Sequence, residues 1–345
     1  MNRFSYARAQ SVADAVRLHH ATPDAEFLAS GTNLVDLMRE NVMRPTAIID
    51  ITRLPLRDIE ATPEGGLRIG ALVTNSALAW DARVSERYPL LAEAILAGAS
   101  AQIRNAATVG GNLLQRTRCL YFCDTATCCN KRAPGSGCGA LDGVNRMHAI
   151  LGASARCIAT HPSDMCVALE ALDATLHVAG RRGMRALPFD ALHRLPGHTP
   201  HRETTLADEE LITAVELPHE GYARHFTYLK LRDRQSYAFA FALVPVALGL
   251  RIEDGVMHTL ACALGGVAHR PWRDREAEAL LIGRAADDTR AIARYADAML
   301  AQADPRPGNG FKVDLARHAI VRAFELARAH ESRPLSAQAR GEDSA

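Results

Sequence analysis

The chain has 345 residues and a mass of 37.3 kDa, with 40 basic and 39 acidic residues and a net charge of +1. At about 150 residues per domain this length suggests two or three domains. A hydrophobic fraction of 48% beside 23% charged residues excludes a wholly disordered chain, and the balanced charge argues against a general nucleic-acid or membrane-surface binder. The longest apolar run, Ala238 to Leu250, has 13 residues with Pro245 inside it, too short and too interrupted to span a bilayer. The first residues, Met-Asn-Arg-Phe-Ser-Tyr-Ala-Arg, lack the apolar core and small-residue cleavage site of a secretory signal. The expectation is a cytoplasmic chain, or one that a partner carries out already folded.

In chain order, Ser11 to His20 predicts a helix capped by Ser11, with Val12, Ala15, Val16 and Leu18 as its apolar stripe. Glu26 to Leu34 reads as a strand, a tight Ser-Gly-Thr-Asn loop and the start of a helix over Leu34 to Met38. Thr46 to Ile51 and Leu67 to Val73 read as strands, the second followed by a helix capped by Thr74 or Asn75. Leu90 to Ala99 predicts an amphipathic helix, and Ala107 to Leu113 a glycine-rich turn. A long loop-rich segment follows, with its clearest turn at Ala133-Pro134-Gly135-Ser136-Gly137; so long a loop in a compact domain is usually functional. Regular patterns resume at Cys157 to Thr160, Met165 to Leu172 and the strand Leu211 to Leu217. Tyr237 to Leu250 and Thr259 to Val267 are apolar strand or helix runs, and Asp287 to Ala303 and Val313 to Ala329 are helical, the last with Leu315, Ala319, Phe324 and Leu326 as buried candidates. His330 to Ala345 is polar, holds Pro334 and is expected to be mobile.

Seven of the eight cysteines fall together: Cys119, Cys123, Cys128, Cys129, Cys138, Cys157 and Cys166, with Cys262 apart in an apolar run as an inert core residue. Clustering of this kind points to disulfides, zinc or an iron–sulfur centre. A disulfide framework suits small secreted chains with thin cores. Zinc usually shows paired C-x2-C knuckles, absent here, whereas iron–sulfur clusters accept looser spacings. Between Gln115 and Thr160 stand six basic residues, Arg116, Arg118, Lys131, Arg132, Arg146 and Arg156, against two acidic ones, Asp124 and Asp142. Such a local surplus would offset the negative charge of a thiolate-bound cluster and raise its potential; the alternative is that these side chains face solvent or a partner.

Two loops, Ala29-Ser30-Gly31-Thr32-Asn33 and Thr108-Val109-Gly110-Gly111-Asn112, set glycine beside hydroxyl and amide side chains. Backbone N–H groups in such turns can cradle a pyrophosphate, although neither loop fits G-x-G-x-x-G and no Walker A motif is present. With Ser30-Gly31-Thr32-Asn33-Leu34, Thr108-Val109-Gly110-Gly111-Asn112-Leu113 and a late Gly265-Gly266-Val267-Ala268-His269, residues 2 to 330 resemble the FAD-binding medium subunit of the molybdenum hydroxylases, the xanthine and carbon monoxide dehydrogenase superfamily. Most members pass directly from the second loop to the next strand. This chain inserts Gln115-Arg116-Thr117-Arg118-Cys119-Leu120-Tyr121-Phe122, Cys129-Asn130-Lys131-Arg132, Pro134-Gly135-Ser136-Gly137-Cys138 and Cys157-Ile158-Ala159-Thr160-His161-Pro162-Ser163-Asp164. That insertion resembles the subfamily with an added [4Fe–4S] cluster, most closely the flavoprotein subunits of bacterial periplasmic aldehyde oxidoreductases.

The resemblance implies an α+β fold. An FAD-binding domain of two α/β subdomains, of the vanillyl-alcohol-oxidase-like (PCMH) kind, would span residues 1–60 and 61–222, with the iron–sulfur insertion at about 115–158. A smaller α+β domain of carbon monoxide dehydrogenase flavoprotein type would span 223–330, and 331–345 would be a tail. Cys119, Cys129, Cys138 and Cys157 would hold the cluster, leaving out Cys123, Cys128 and Cys166; the Cys-Asn-Lys-Arg context favours Cys129 over Cys128. FAD would lie against Phe27, Leu28, Ala29, Ser30, Gly31, Thr32, Asn33 and Leu34, and against Thr108, Val109, Gly110, Gly111 and Asn112. Asp164 would lie near the adenosine or ribityl portion and Lys230 near the flavin ring; taken singly, Asp164 fits a helix cap and Lys230 a solvated strand position. By the same resemblance, a small [2Fe–2S] subunit passes electrons to this FAD and an outside acceptor removes them. A large molybdenum-cofactor subunit oxidises an aldehyde, and the heterotrimer is exported to the periplasm on a partner's twin-arginine signal. No catalytic acid–base pair is expected in this chain. The rival readings are a free-standing flavin oxidoreductase and a zinc-stabilised binding module without redox function.

Overall fold

In the computed structural model, which describes residues 1–329 apart from Gln235 and Ala238, the chain begins with three short parallel strands. They are β1 (Ser5–Arg8), β2 (Ala25–Leu28) and β3 (Ala47–Asp50), with the fully buried β3 in the centre. Parallel neighbours need crossovers, and α1 (Val12–Ala21) and α2 (Leu34–Arg39) occupy them. Ser11 caps α1 as expected: its hydroxyl accepts the Asp14 backbone N–H at 3.1 Å.

The second sheet is antiparallel, in the order β4-β5-β8-β6-β7: β4 (Ile59–Ala61), β5 (Leu67–Gly70), β6 (Thr175–Gly180), β7 (Gly183–Pro188) and β8 (Leu211–Leu217). Between β5 and β6 run α3 (Asn75–Trp80), α4 (Ala82–Arg87), α5 (Pro89–Leu96), α6 (Ala101–Ala106), α7 (Val109–Leu113), α8 (Leu120–Cys123) and α9 (Asp164–Ala171). β5 stops at Gly70, short of Val73: the Ala71 N–H still reaches Thr213 of β8, but the next one, on Leu72, turns to Leu56. α5 stops at Leu96 rather than Ala99, where the backbone turns left-handed with φ at 51°. The hairpin β6–β7 escapes the sequence pattern because most of β7 is exposed and carries no apolar alternation.

The third sheet is a meander of β9 (His225–Leu231), β10 (Val244–Glu253) and β11 (Val256–Leu264), followed by α10 (Arg275–Glu278), α11 (Thr289–Met299) and α12 (Phe311–Ala329). The apolar run from Tyr237 thus divides: only Val244 onward is strand, while Phe239 and Phe241 stay outside any element and exposed. On α12, Ala319 and Phe324 are buried, and Leu315 and Leu326 only partly so. The expected mobile tail, 330–345, lies outside the described residues. Among those described, no helix is long and apolar enough to cross a membrane.

Candidate cofactor cleft and cysteine cluster

Both glycine loops open onto one cleft. A cavity of about 480 Å³ is lined by Phe27, Leu28, Ala29, Ser30, Gly31, Thr32, Asn33 and Leu34 from one side and by Thr108, Gly110 and Gly111 from the other. A second cavity of about 130 Å³ shares Thr32, Asn33 and Gly111 with it and continues past Asn112, Asp164 and Lys230 to Phe239 and Phe241. Val109 is the exception among the sequence candidates: it does not line the cleft but is buried in the core of the second sheet, because it is the first residue of a helical turn whose opposite side is Gly111.

The two loops play different parts. Gly31 has φ at +79°, a conformation natural for glycine, and the N–H groups of Ser30, Gly31, Thr32 and Asn33 have no hydrogen-bond acceptor among the described residues. The second loop is already committed. The Val109 and Gly110 N–H groups donate to Val73 and Ala71, and that of Gly111 to the Thr108 hydroxyl. Its N–H groups are therefore not the open cradle expected from the sequence, and neither glycine has positive φ. Gly111 acts instead through space: a Cβ there would meet only Thr108 Oγ1, at 3.0 Å, and otherwise project into open volume. Asn33 ties the first loop to the start of the insertion, its Oδ1 accepting the Arg116 N–H at 3.0 Å, while its buried Nδ2 has no partner among the described residues.

Asp164 and Lys230 form one buried pair, 2.7 Å apart. Asp164 also accepts the Tyr228 hydroxyl at 2.7 Å, and Lys230 donates to the Ala97 carbonyl at 3.0 Å. Lys230 is thus not a solvated strand residue, and the cap of α9 is Ser163, not Asp164. Burial, together with the neighbouring Asp164, pushes the Tyr228 phenol well above its usual range.

The insertion brings Cys119, Cys129, Cys138 and Cys157 together. Cys129 and Cys138 face each other across an antiparallel bridge, Cys119 packs beside Cys129, and Cys138 and Cys157 are near enough for each to shift the other's titration. Backbone amides lie near three of these sulfurs and favour their thiolates: Tyr121 and Phe122 by Cys119, Ala140, Leu141 and Ile158 by Cys138, and Ala159 by Cys157, with the Phe122 and Leu141 N–H groups donating to the Cys119 and Cys138 carbonyls at 3.0 and 3.3 Å. Burial raises Cys119 to about 11; the neighbouring Cys157 thiol lowers Cys138, and Cys138 together with burial raises Cys157. All eight cysteines are free thiols. Asn130 shapes the loop by accepting the N–H groups of Gly135 and Gly137, both with positive φ, at 3.1 and 3.0 Å. Cys128 is exposed, and Cys123 lies partly buried near Cys129. Cys166 sits apart with His161 and His193, their ligand atoms within 4.8 Å of one another, and burial raises inert Cys262 to about 12.

The basic surplus of the insertion is largely neutralised by acids from elsewhere, which local counting could not reveal. Arg116 and Lys131 pair with Glu203, Arg118 with Asp36 and Arg146 with Asp233, while Arg132 donates to the carbonyls of Tyr121, Phe122 and Thr127. Residues that the sequence did not single out also matter. Asn75, Arg104, Phe239 and Phe241 line the cleft, and His148 and His269 face the cysteines. Only His269 had a signal, its place after Gly265-Gly266.

Known proteins define the class. Residues 2–220 match the FAD binding domain in molybdopterin dehydrogenase, and 227–327 match the CO dehydrogenase flavoprotein C-terminal domain. The chain belongs to the FAD-binding medium subunits of the molybdenum hydroxylase family, and is an oxidoreductase subunit. It is 48% identical to the aldehyde oxidoreductase FAD-binding subunit PaoB of Escherichia coli, over 95% of this chain and 99% of that one. It is 29% identical to a putative xanthine dehydrogenase FAD-binding subunit, XdhB, of the same organism, over 79% and 77% of the two chains. The solved carbon monoxide dehydrogenase of Hydrogenophaga pseudoflava superposes with a TM-score of 0.74 at 26% identity, covering 95% of this chain and 98% of that one.

Proposed function

We propose that this chain is the FAD- and [4Fe–4S]-binding electron-transfer subunit of a heteromeric molybdenum aldehyde oxidoreductase. The convergence of Cys119, Cys129, Cys138 and Cys157 as free thiols beside the cleft carries this reading. Backbone amides gathered around the Cys119, Cys138 and Cys157 sulfurs suit thiolates bound to iron. Zinc would accept four sulfurs as well, so metal identity is the point to test.

The cleft suits a dinucleotide: it is long, its first loop has unpaired N–H groups at Ser30 to Asn33, and its other wall lacks the Cβ at Gly111 that would fill it. Bound FAD supplies reversible acceptance of electrons. The chain's residues would hold it: the unpaired N–H groups of the first loop would serve its phosphates, Asn33 Nδ2 would gain the partner it lacks, and the Asp164–Lys230 pair shapes the far end of the cleft. Gln115 and Arg118 line the cleft and Cys119 follows at once, so one short stretch of backbone joins the two sites. A [2Fe–2S] partner donates electrons and a molybdenum-cofactor partner oxidises the aldehyde; the name of the 48% identical relative supports the aldehyde oxidoreductase activity and the FAD-binding role. The complex reaches the periplasm on a partner's export signal, which cell fractionation tests.

The central experiment is metal and flavin content with absorption spectra. The purified chain should be brown with iron and flavin; yellow alone or colourless with zinc would refute the cluster. Cys129→Ser should lose the iron and Cys128→Ser should keep it, whereas the reverse would exchange their roles.

A further inference from the structure

Two buried histidines reach the cysteine cluster from outside it. His148 Nε2 lies 3.1 Å from Cys119 Sγ, and His269 Nε2 lies 3.3 Å from Cys157 Sγ. His148 stands at the far end of the insertion and His269 in the turn after β11, so separate parts of the chain supply them. Both are nearly closed to solvent, at 5% and 8% exposure. The backbone at both is anchored, while the buried Nδ1 of each ring has no partner among the described residues. The His148 carbonyl accepts from Lys312 Nζ at 2.9 Å and from the Asn309 amide at 3.2 Å, and the Ala268 carbonyl, next to His269, accepts the His161 backbone N–H at 3.0 Å.

We propose that His148 and His269 are N–H donors to the Cys119 and Cys157 thiolates and set the reduction potential of the cluster these cysteines hold. The inference rests on the iron–sulfur reading above and deepens it. A thiolate bound to iron has no proton to give, so an imidazole nitrogen at hydrogen-bond range must carry the hydrogen itself. When the bound group takes up one electron, negative charge on its sulfurs rises. A fixed N–H donor then binds them more strongly and favours the reduced state, which raises the potential. Backbone amides near these sulfurs act in the same sense and cannot be removed by substitution. The two histidines are side-chain donors and can be.

The test uses the full chain purified with its partners, comparing His148→Leu and His269→Leu with His148→Gln and His269→Gln. Glutamine keeps an N–H donor and leucine does not. Iron per chain is measured first, and the [4Fe–4S] electron spin resonance signal is then followed through a potentiometric titration. Each leucine variant should keep its iron and hold about tenfold less reduced cluster at a given potential, equivalent to about 59 mV for one electron; glutamine should recover most of the loss. Unchanged midpoints in both leucine variants with iron retained would overturn the proposal. Should leucine expel the iron, pulsed resonance on wild-type protein containing ¹⁵N-histidine decides: weak nitrogen coupling supports N–H···S bonding, while no coupling, or the strong coupling of a directly bonded ligand, overturns it. Wild-type protein without iron would instead refute the underlying cluster reading, and the inference with it.

Discussion

Glu203 ties the insertion to the flavin-domain side of the molecule, and its removal should be costly. One of its oxygens accepts Arg116 Nη2 at 2.9 Å and Arg116 Nε at 3.1 Å, and lies 3.3 Å from Lys131 Nζ. The Lys131 side chain is only 3% exposed, and among the described residues its one other partner is the Pro200 carbonyl, at 3.0 Å. Burial alone would raise the Glu203 carboxyl, but the charges and hydrogen bonds of Arg116 and Lys131 outweigh it and hold it at about 2, against an ordinary 4.5. At about 1.4 kcal/mol per unit this depression corresponds to about 3 kcal/mol, an upper bound because 24% of the Glu203 side chain meets solvent. Glu203→Gln leaves a buried ammonium without its counter-charge, a change that generally costs about 3–5 kcal/mol; the partial exposure places it near the lower end. The folded pKa is below the unfolded one, so the stabilisation is present above about pH 4.5 and is lost as pH falls through about 2. Urea midpoints of wild type, Glu203→Gln, Lys131→Met and the double variant measure the coupling, and hydrogen exchange over residues 115–160 localises it. The double variant should be less damaged than the two single losses added together. A loss under about 1 kcal/mol in Glu203→Gln, or strict additivity, would refute the pairing as a major support.

Gly111→Val should abolish flavin binding while iron stays, because the new side chain enters the cleft without backbone strain; full flavin occupancy in the purified variant would count against the cleft. Asp164→Asn strands the buried Lys230 ammonium and should lower thermal stability and flavin content together, whereas a variant with wild-type melting and flavin ratio would contradict the pairing. Burial lowers Lys312 to about 7, from 10.5. Between these values the unfolded chain binds a proton that the folded chain does not, so stability should rise as pH increases from about 7 to 10.5. Lys312→Met should flatten that rise in a pH series of urea midpoints, and an unchanged slope would show that Lys312 is charged in the fold.

Patterns with a short physical range were legible in the sequence. Ser11 as a cap, the apolar stripe of α1, the buried run of β3 and the period of α11 and α12 each depend on residues within a turn or two. The glycine loops and clustered cysteines were legible as chemistry, because only a few residue types can leave backbone bare or offer sulfur. The division of labour between the loops was not. Whether an N–H group is open depends on the carbonyl opposite, and Ala71 and Val73 come from the turn after β5, well before Gly110 in the chain.

The charge of the insertion shows the same limit. Six basic residues against two acidic ones is a true count, yet Asp36, Glu203 and Asp233 lie outside that stretch and neutralise much of it. Asp164 and Lys230, 66 positions apart, meet because β9 packs beside α5 and α9 closes the same cavity. The sequence by itself determined which short segments become helix or strand and which residues can bear cofactors. Tertiary structure alone decided which donors remain free, which charges are cancelled and which histidines face the sulfurs, because electrostatic and hydrogen-bond partners are chosen by distance in space, and folding sets that distance independently of separation along the chain.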